Sequence, residues 1–245
     1  MSIPANPDWF FVYAVESPSA PDLYHARSER DVLSQALRLA NVACISHCSI
    51  SREAFCAALD FGLKDAIAQQ QSRLPLLHIS SHGHVDGIQL SSGDLIAWSE
   101  LSELLSPINA ALKGKLLVSM SCCEGYSGVR MAMRLGDTDL PYYALVGSAQ
   151  KPFWSQTAIG FAVFYYRLSQ GDHVNSAIAA MNVACGCNLF SVEWAENSKK
   201  FYAEYIRSYD PAQAQQQLTA AATVRQAHEL QKHGLTVLLK LRRAA

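Results

Sequence analysis

The sequence predicts an α/β protein whose mostly parallel central sheet is covered by helices on both faces. Half of the 245 residues are hydrophobic, and apolar, β-branched runs alternate along the chain with amphipathic segments at helical spacing. The central runs are apolar throughout rather than at every second position, as in parallel strands buried on both sides. A chain of this length buries a sizeable core.

Five apolar runs are predicted to form the strands. The first is rich in aromatic and β-branched residues, and the runs at 74–79 and 115–120 are continuously apolar, which is typical of central strands. The predicted strands are residues 9–16, 42–50, 74–81, 115–121 and 142–149.

The segments between these strands carry helix signals. Ser28 and Glu29 precede leucines at helical spacing, and Ser51 opens the next amphipathic stretch. The predicted helices are residues 27–41, 51–70, 99–112, 128–135, 155–169 and 173–185. A glycine-containing segment after the third strand, residues 87–97, is predicted to form a hairpin.

The chain is predicted to divide into a main domain, residues 1–187, and a C-terminal extension, residues 188–245, packed on the same domain. Residues 188–195 fit a last strand or a loop. The rest is rich in Gln and Ala and predicts helix, with Pro211 near a helix start and Gly234 near a stop.

Composition excludes several classes of function. The net charge is −1, from 20 basic and 21 acidic residues, so we expect neither nucleic acid nor an anionic membrane surface as partner. The start of the chain lacks the pattern of a signal peptide, and no apolar run is long enough for a membrane span. Seven cysteines, an odd number, do not suggest a secreted disulfide framework, so we expect reduced thiols in the cytoplasm. The sequence has no phosphate-binding loop or dinucleotide fingerprint, and we expect no cofactor.

An imidazole and two thiols follow predicted strands. His82 comes just after the third strand, and Cys122 and Cys123 come just after the fourth. Because the carboxyl ends of parallel strands meet at one edge of the sheet, these side chains are predicted to lie together. A nearby imidazole or helix N-terminus favours the nucleophilic thiolate, whereas two cysteines that merely pack in the core are the structural alternative.

The same segment also suggests a metal site. His82, His84 and Asp86 form an H-x-H-x-D pattern, and two imidazoles with a carboxylate are suitable ligands for zinc. Such a site needs further ligands, and the later histidines, at 173, 228 and 233, all lie in segments predicted to be helical. A metal-dependent hydrolase is therefore a third alternative, and no metal is expected.

Two short motifs in order resemble the caspase-like cysteine peptidases. An apolar strand ends in "SSHG" at 80–83, and a later one ends in "SCCEG" at 121–125. The second motif resembles the caspase pattern Q-A-C-x-G, which places the nucleophile at Cys123, although Gln is absent at its start. It also resembles the S-A-C-E pattern of the bacterial CHAT-domain proteases, where Ser121 and Glu124 match, and the chain resembles this group most. The likeness covers roughly residues 74–182 and implies a caspase-like three-layer sandwich.

The resemblance assigns roles to residues on both motifs. It implies a cysteine endopeptidase with a His82–Cys123 dyad, in which the amides of Gly83 and Cys123 form the oxyanion hole. The candidate supporting residues are Asp86, Cys122 and Glu124, and Cys122 stays open as an alternative nucleophile. The loop at 148–156 would form one wall of the substrate pocket, through Ser148, Gln150 and Trp154.

The resemblance also suggests partners. The substrate would be a protein or peptide, in a bacterial signalling or defence system. The segment between Cys123 and the strand at 142 is too short for a long cleavable linker, so activation is expected from a partner protein or ligand. The rival interpretation is a catalytically inactive caspase-like interaction module.

Overall fold

A computed structural model describes residues 9–71, 73–136 and 139–209, together with residues 212, 215 and 216. The structure confirms the α/β class: a mostly parallel sheet is flanked by helices. In the described ranges the central sheet has six strands: β1 (Phe10–Glu16), β2 (Cys44–Cys48), β3 (Leu74–Ser80), β7 (Leu117–Ser121), β8 (Ala144–Ser148) and β9 (Phe190–Trp194). Their order across the sheet is β2-β1-β3-β7-β8-β9.

The helices form a layer on each face of the sheet. Because side chains alternate along a strand, Phe11 and Tyr13 of β1 point into one apolar core and Phe10 and Val12 into the other. The first core is completed by α3 (Arg52–Ala57), a π-helical turn (Ala58–Gly62), α4 (Leu63–Gln69) and α5 (Trp98–Ala111). The second is completed by α2 (Glu29–Leu39), α6 (Trp154–Ser169) and α7 (Val174–Ala184). A short helix, α1 (Ala20–Tyr24), follows β1.

The hairpin predicted at residues 87–97 is confirmed, and a strand that was not predicted extends it. A second, three-stranded antiparallel sheet contains β4 (His82–His84), β5 (Gly87–Gln89) and β6 (Leu95–Ala97). His82 therefore begins a strand of its own rather than lying in a loop after β3. Its strand is only three residues long, and its backbone pairs with β5, where His82 lies opposite Gln89.

The segment after Cys123 also differs from the predicted α-helix at 128–135. It is a 3-10 helix, Gly125–Ala132. It begins earlier than predicted because Glu124 turns the chain in a left-handed conformation, with φ 55°. Gly125 packs against Met120, where a side chain would contact the backbone at 2.9 Å.

The sheet continues beyond residue 187, the predicted end of the main domain. β9 pairs antiparallel with β8 over its whole length, so the option of a strand at 188–195 is the correct one. α8 (Ala195–Tyr209) follows directly, and Ile206 packs on Leu135. The helix predicted from Pro211 to Gly234 lies almost entirely outside the described residues. Within the described ranges, no helix has the length and apolar character needed to cross a membrane.

Candidate active site

A polar residue occupies the last position of each of three neighbouring strands, and these three positions lie side by side in the sheet. Glu16 of β1 lies beside Ser80 of β3, and Ser80 lies beside Ser121 of β7. All three are buried. The motifs at 80–83 and 121–125 follow directly from these positions, so the parallel sheet itself brings the histidine and cysteine segments to one edge.

The approach of the two motifs is closest at Gly83. A Cβ atom at this position would lie 1.6 Å from the carbonyl oxygen of Cys123 and 2.7 Å from its amide nitrogen. No side chain fits there, so glycine is required for the β4 backbone to lie against Cys123. The contact fixes His82, one residue earlier, beside the cysteine segment.

The two cysteines lie in different environments. Cys122 is 4% exposed and packs in the apolar core, and its burial raises the pKa of its thiol far above the ordinary range. Cys123 is half-buried and, with His82, lines a cavity that opens to solvent. Cys122 lines the same cavity, but Cys123 is the more accessible of the two, which favours Cys123 over Cys122 as the candidate nucleophile.

Charges on two neighbouring residues act on the Cys123 thiol. Burial raises its pKa, Lys151 acts in the opposite direction, and Glu124 raises the pKa further. The carboxylate of Glu124 lies 3.7 Å from the Lys151 ammonium, and its amide donates to the carbonyl of Gln150 at 2.8 Å. The loop after β8 is thereby attached to the residue that follows the cysteine.

Of the predicted pocket residues, Trp154 lines the cavity, together with Pro152 and Thr157. Ser148 and Gln150 do not line it. The buried hydroxyl of Ser148 accepts a hydrogen bond from the Gln150 amide at 3.0 Å, which holds the loop in shape.

Asp86 lies beside His84 rather than His82. Its amide donates to Nδ1 of His84 at 3.1 Å, and its carboxylate lies 3.5 Å from the guanidinium of Arg130. In the part of the chain that the structure describes, no three His, Cys, Asp or Glu side chains are grouped as metal ligands. The H-x-H-x-D pattern therefore has no complete ligand set among these residues.

The inner wall of the cavity comes from residues that sequence analysis did not single out. Glu29, at the start of α2, is 1% exposed, and its carboxylate accepts hydrogen bonds from Ser80 at 2.8 Å and Ser121 at 2.7 Å. Glu16 accepts from the Glu29 amide at 2.6 Å. An acidic residue after Ser28 is an ordinary helix-start signal, so nothing local in the sequence distinguishes Glu29.

The raised pKa of Cys123 predicts how its alkylation depends on pH. Iodoacetamide reacts with the thiolate, so the rate should climb with pH and reach half its plateau above about pH 8.5, the ordinary thiol value. Site-resolved mass spectrometry between pH 6 and 10 measures this rate. Cys122 serves as the internal control and should stay unmodified in the folded protein. A plateau at Cys123 already reached at pH 7 would show that the pKa of its thiol is not raised.

Comparisons with known proteins concern the fold. No protein-family model and no curated protein matches the sequence. The chain is similar to the crystal structure of the Arg-specific cysteine proteinase gingipain R (RgpB), with a TM-score of 0.44 and 12% identity over 77% of this chain and 47% of that chain. It is also similar to the complex of the RgpB pro- and mature domains from Porphyromonas gingivalis, with a TM-score of 0.47 and 10% identity over 79% and 49% of the two chains. The chain thus spans about half the length of these two structures.

Proposed function

We propose that this protein is a cysteine endopeptidase of the caspase-like clan, closest to the CHAT-domain group, and that it uses His82 and Cys123. The observation that carries the proposal is the contact of Gly83 with the Cys123 backbone, which leaves no space for a side chain. The proposal is also supported by one cavity that both His82 and Cys123 line. Two such groups at one edge of a parallel sheet are the minimum for thiol-based acyl transfer.

The proposed reaction has two steps. The Cys123 thiolate attacks the scissile carbonyl carbon, the amide C–N bond breaks, and His82 in its protonated form donates a proton to the leaving amine. Water, deprotonated by the neutral His82, then attacks the thioester and releases the carboxylate product and the free thiol. The amides of Gly83 and Cys123 are proposed to stabilise the oxyanion in both steps.

An activating partner protein or ligand belongs to the same proposal. The raised pKa of the Cys123 thiol disfavours the thiolate in the resting protein, and the His82 side chain is exposed. A partner that covers this edge of the sheet would hold the imidazole against the thiol, where its positive charge favours the thiolate. The resemblance to CHAT-domain proteases is the ground for including a role in a bacterial signalling or defence system in this proposal.

The test is a peptide-library cleavage assay on the full chain, with and without chelator. We expect cleavage that iodoacetamide abolishes and chelator leaves unchanged. Cleavage that chelator abolishes would instead support the metal-dependent hydrolase. Complete absence of cleavage, together with no alkylation of Cys123 by peptide chloromethyl ketones, would contradict the proposal and favour the interaction module.

A matched pair of histidine variants tests the role of the imidazole. His82 and His84 lie two residues apart on β4, and both are exposed. The His82→Ala variant should lose about 100-fold to 10,000-fold in kcat, the usual contribution of general acid–base catalysis. The His84→Ala variant should lose little, since its ring bonds only to the Asp86 segment. Equal losses in the two variants would contradict the assignment to His82.

A further inference from the structure

The cavity beside the dyad is the size of one side chain. Its volume is about 180 Å³, and a cavity of about 150 Å³ already holds a benzene molecule. His82 and Cys123 line it along with the polar ends of the central strands. A peptide whose carbonyl carbon lies at the Cys123 thiol would therefore extend the side chain before the scissile bond into this cavity.

The charged residues that line the cavity are mainly acidic. Glu16, Asp22 and Glu29 face one arginine, Arg27, whose guanidinium is paired with Asp22 at 2.9 Å. The cavity wall therefore carries more negative than positive charge.

Glu16 is already occupied by other groups. Its carboxylate caps the N-terminus of α2, where it accepts from the Glu29 amide, and it accepts from the hydroxyl of Ser28 at 2.9 Å. Arg30 lies 3.4 Å from the same carboxylate. The positive end of the helix and the guanidinium together compensate this charge.

Glu29 differs from Glu16 in having no guanidinium or ammonium partner among the described residues; its one ionisable partner there is the imidazole of His78. Its hydrogen-bond donors are the hydroxyls of Ser80 and Ser121, which are neutral. The Nε2 atom of His78 lies 3.4 Å away and makes no hydrogen bond with any described residue. Among the described residues no lysine or arginine forms an ion pair with Glu29. A buried carboxylate of this kind, on the wall of an open cavity, is complementary to a cationic guest.

We propose that this cavity binds the side chain of an arginine or lysine, and that Glu29 is the specificity-determining residue that selects it. The chain would then cleave after basic residues. This inference rests on the proposed peptidase function, because it assigns the cavity to the residue before the scissile bond.

The experiment compares peptide substrates that differ only in that residue: arginine, its neutral isostere citrulline, lysine and glutamate. For the wild-type full chain, kcat/KM with arginine should exceed that with citrulline at least about 100-fold. Citrulline has the shape of arginine but lacks the positive charge that Glu29 is proposed to bind. Glutamate should be the poorest substrate. The citrulline comparison isolates charge from shape and does not depend on any variant.

The Glu29→Gln variant tests the residue itself. It keeps the size of the side chain and an acceptor for the two serine hydroxyls, and the arginine-to-citrulline ratio should fall to about 10-fold or less. The matched control is Glu103→Gln on α5, which removes the same charge from an exposed residue that does not line this cavity and should leave the ratio unchanged. Thermal unfolding of both variants shows whether the fold is kept.

The outcomes separate the inference from the function on which it rests. Cleavage of citrulline and arginine peptides at equal rates, or a preference for glutamate, would overturn the basic pocket while the peptidase stands. A normal ratio in Glu29→Gln would overturn the role of Glu29. No cleavage of any peptide, and no labelling of Cys123 by arginyl or citrullinyl chloromethyl ketones, would overturn both proposals.

Discussion

The Cys123→Ala variant is expected to lose at least about 10,000-fold in kcat, because removing the nucleophile of a catalytic pair leaves only binding and oxyanion stabilisation. The loss should appear in kcat rather than in KM, since the variant leaves unchanged the rest of the cavity that is proposed to bind the substrate. Peptide cleavage by purified wild type and variant, with intact-mass confirmation of each protein, measures the effect.

Cys122→Ala is the matched control for this variant. It removes a sulfur atom from the neighbouring residue, but that atom is buried in the core and 2.9 Å from where a Cβ at Gly125 would lie. The expected loss is therefore one of stability, about 1–2 kcal/mol for a small cavity, with cleavage retained. If Cys122→Ala abolished cleavage and Cys123→Ala did not, the nucleophile would be Cys122.

The Gly83→Ala variant is expected to lose both stability and activity. The added methyl group would lie 1.6 Å from the carbonyl oxygen of Cys123, so either β4 or the segment after β7 must move. Overpacking against backbone that cannot rotate away should cost about 3 kcal/mol or more. A displacement of about 1 Å between His82 and Cys123 should lower kcat by a further 100-fold or so. Urea unfolding and peptide cleavage measure the two losses separately.

Gly93→Ala is the comparison for this prediction. Gly93 has a φ of +92° and nothing within 4 Å of the position where a Cβ would lie. Its substitution therefore adds backbone strain of about 1–2 kcal/mol without a steric clash. A Gly83→Ala protein as stable and as active as Gly93→Ala would show that β4 does not lie against the cysteine segment.

The strands of the central sheet could be predicted because each is a run of apolar residues long enough to be recognised alone. β4 could not, because its three residues include two histidines and a glycine and show no apolar alternation. Its strand geometry depends on pairing with β5. The position of His82 at the edge of the sheet follows from the end of β3, whereas the strand that carries it is visible only in the structure.

The inner wall of the cavity could not be predicted for a different reason. Glu29 has the sequence context of any acidic residue in the first turn of a helix. Its burial results from contacts with Ser80 and Ser121, which are 51 and 92 residues away in the chain. Ser121 was visible as part of the cysteine motif, but the group it bonds to depends on how α2 docks on the sheet.

These long-range hydrogen bonds have a consequence for the nascent chain. The helix that supplies Glu29 and the strands that supply Ser80 and Ser121 are far apart in sequence, so the acidic wall exists only after the tertiary fold has closed. Bringing such distant segments together costs the conformational entropy of closing a long loop, and this cost grows with the length of the loop. A ribosome-bound or partly folded chain can expose the cysteine thiol, but it has no formed cavity in which a substrate side chain could be held.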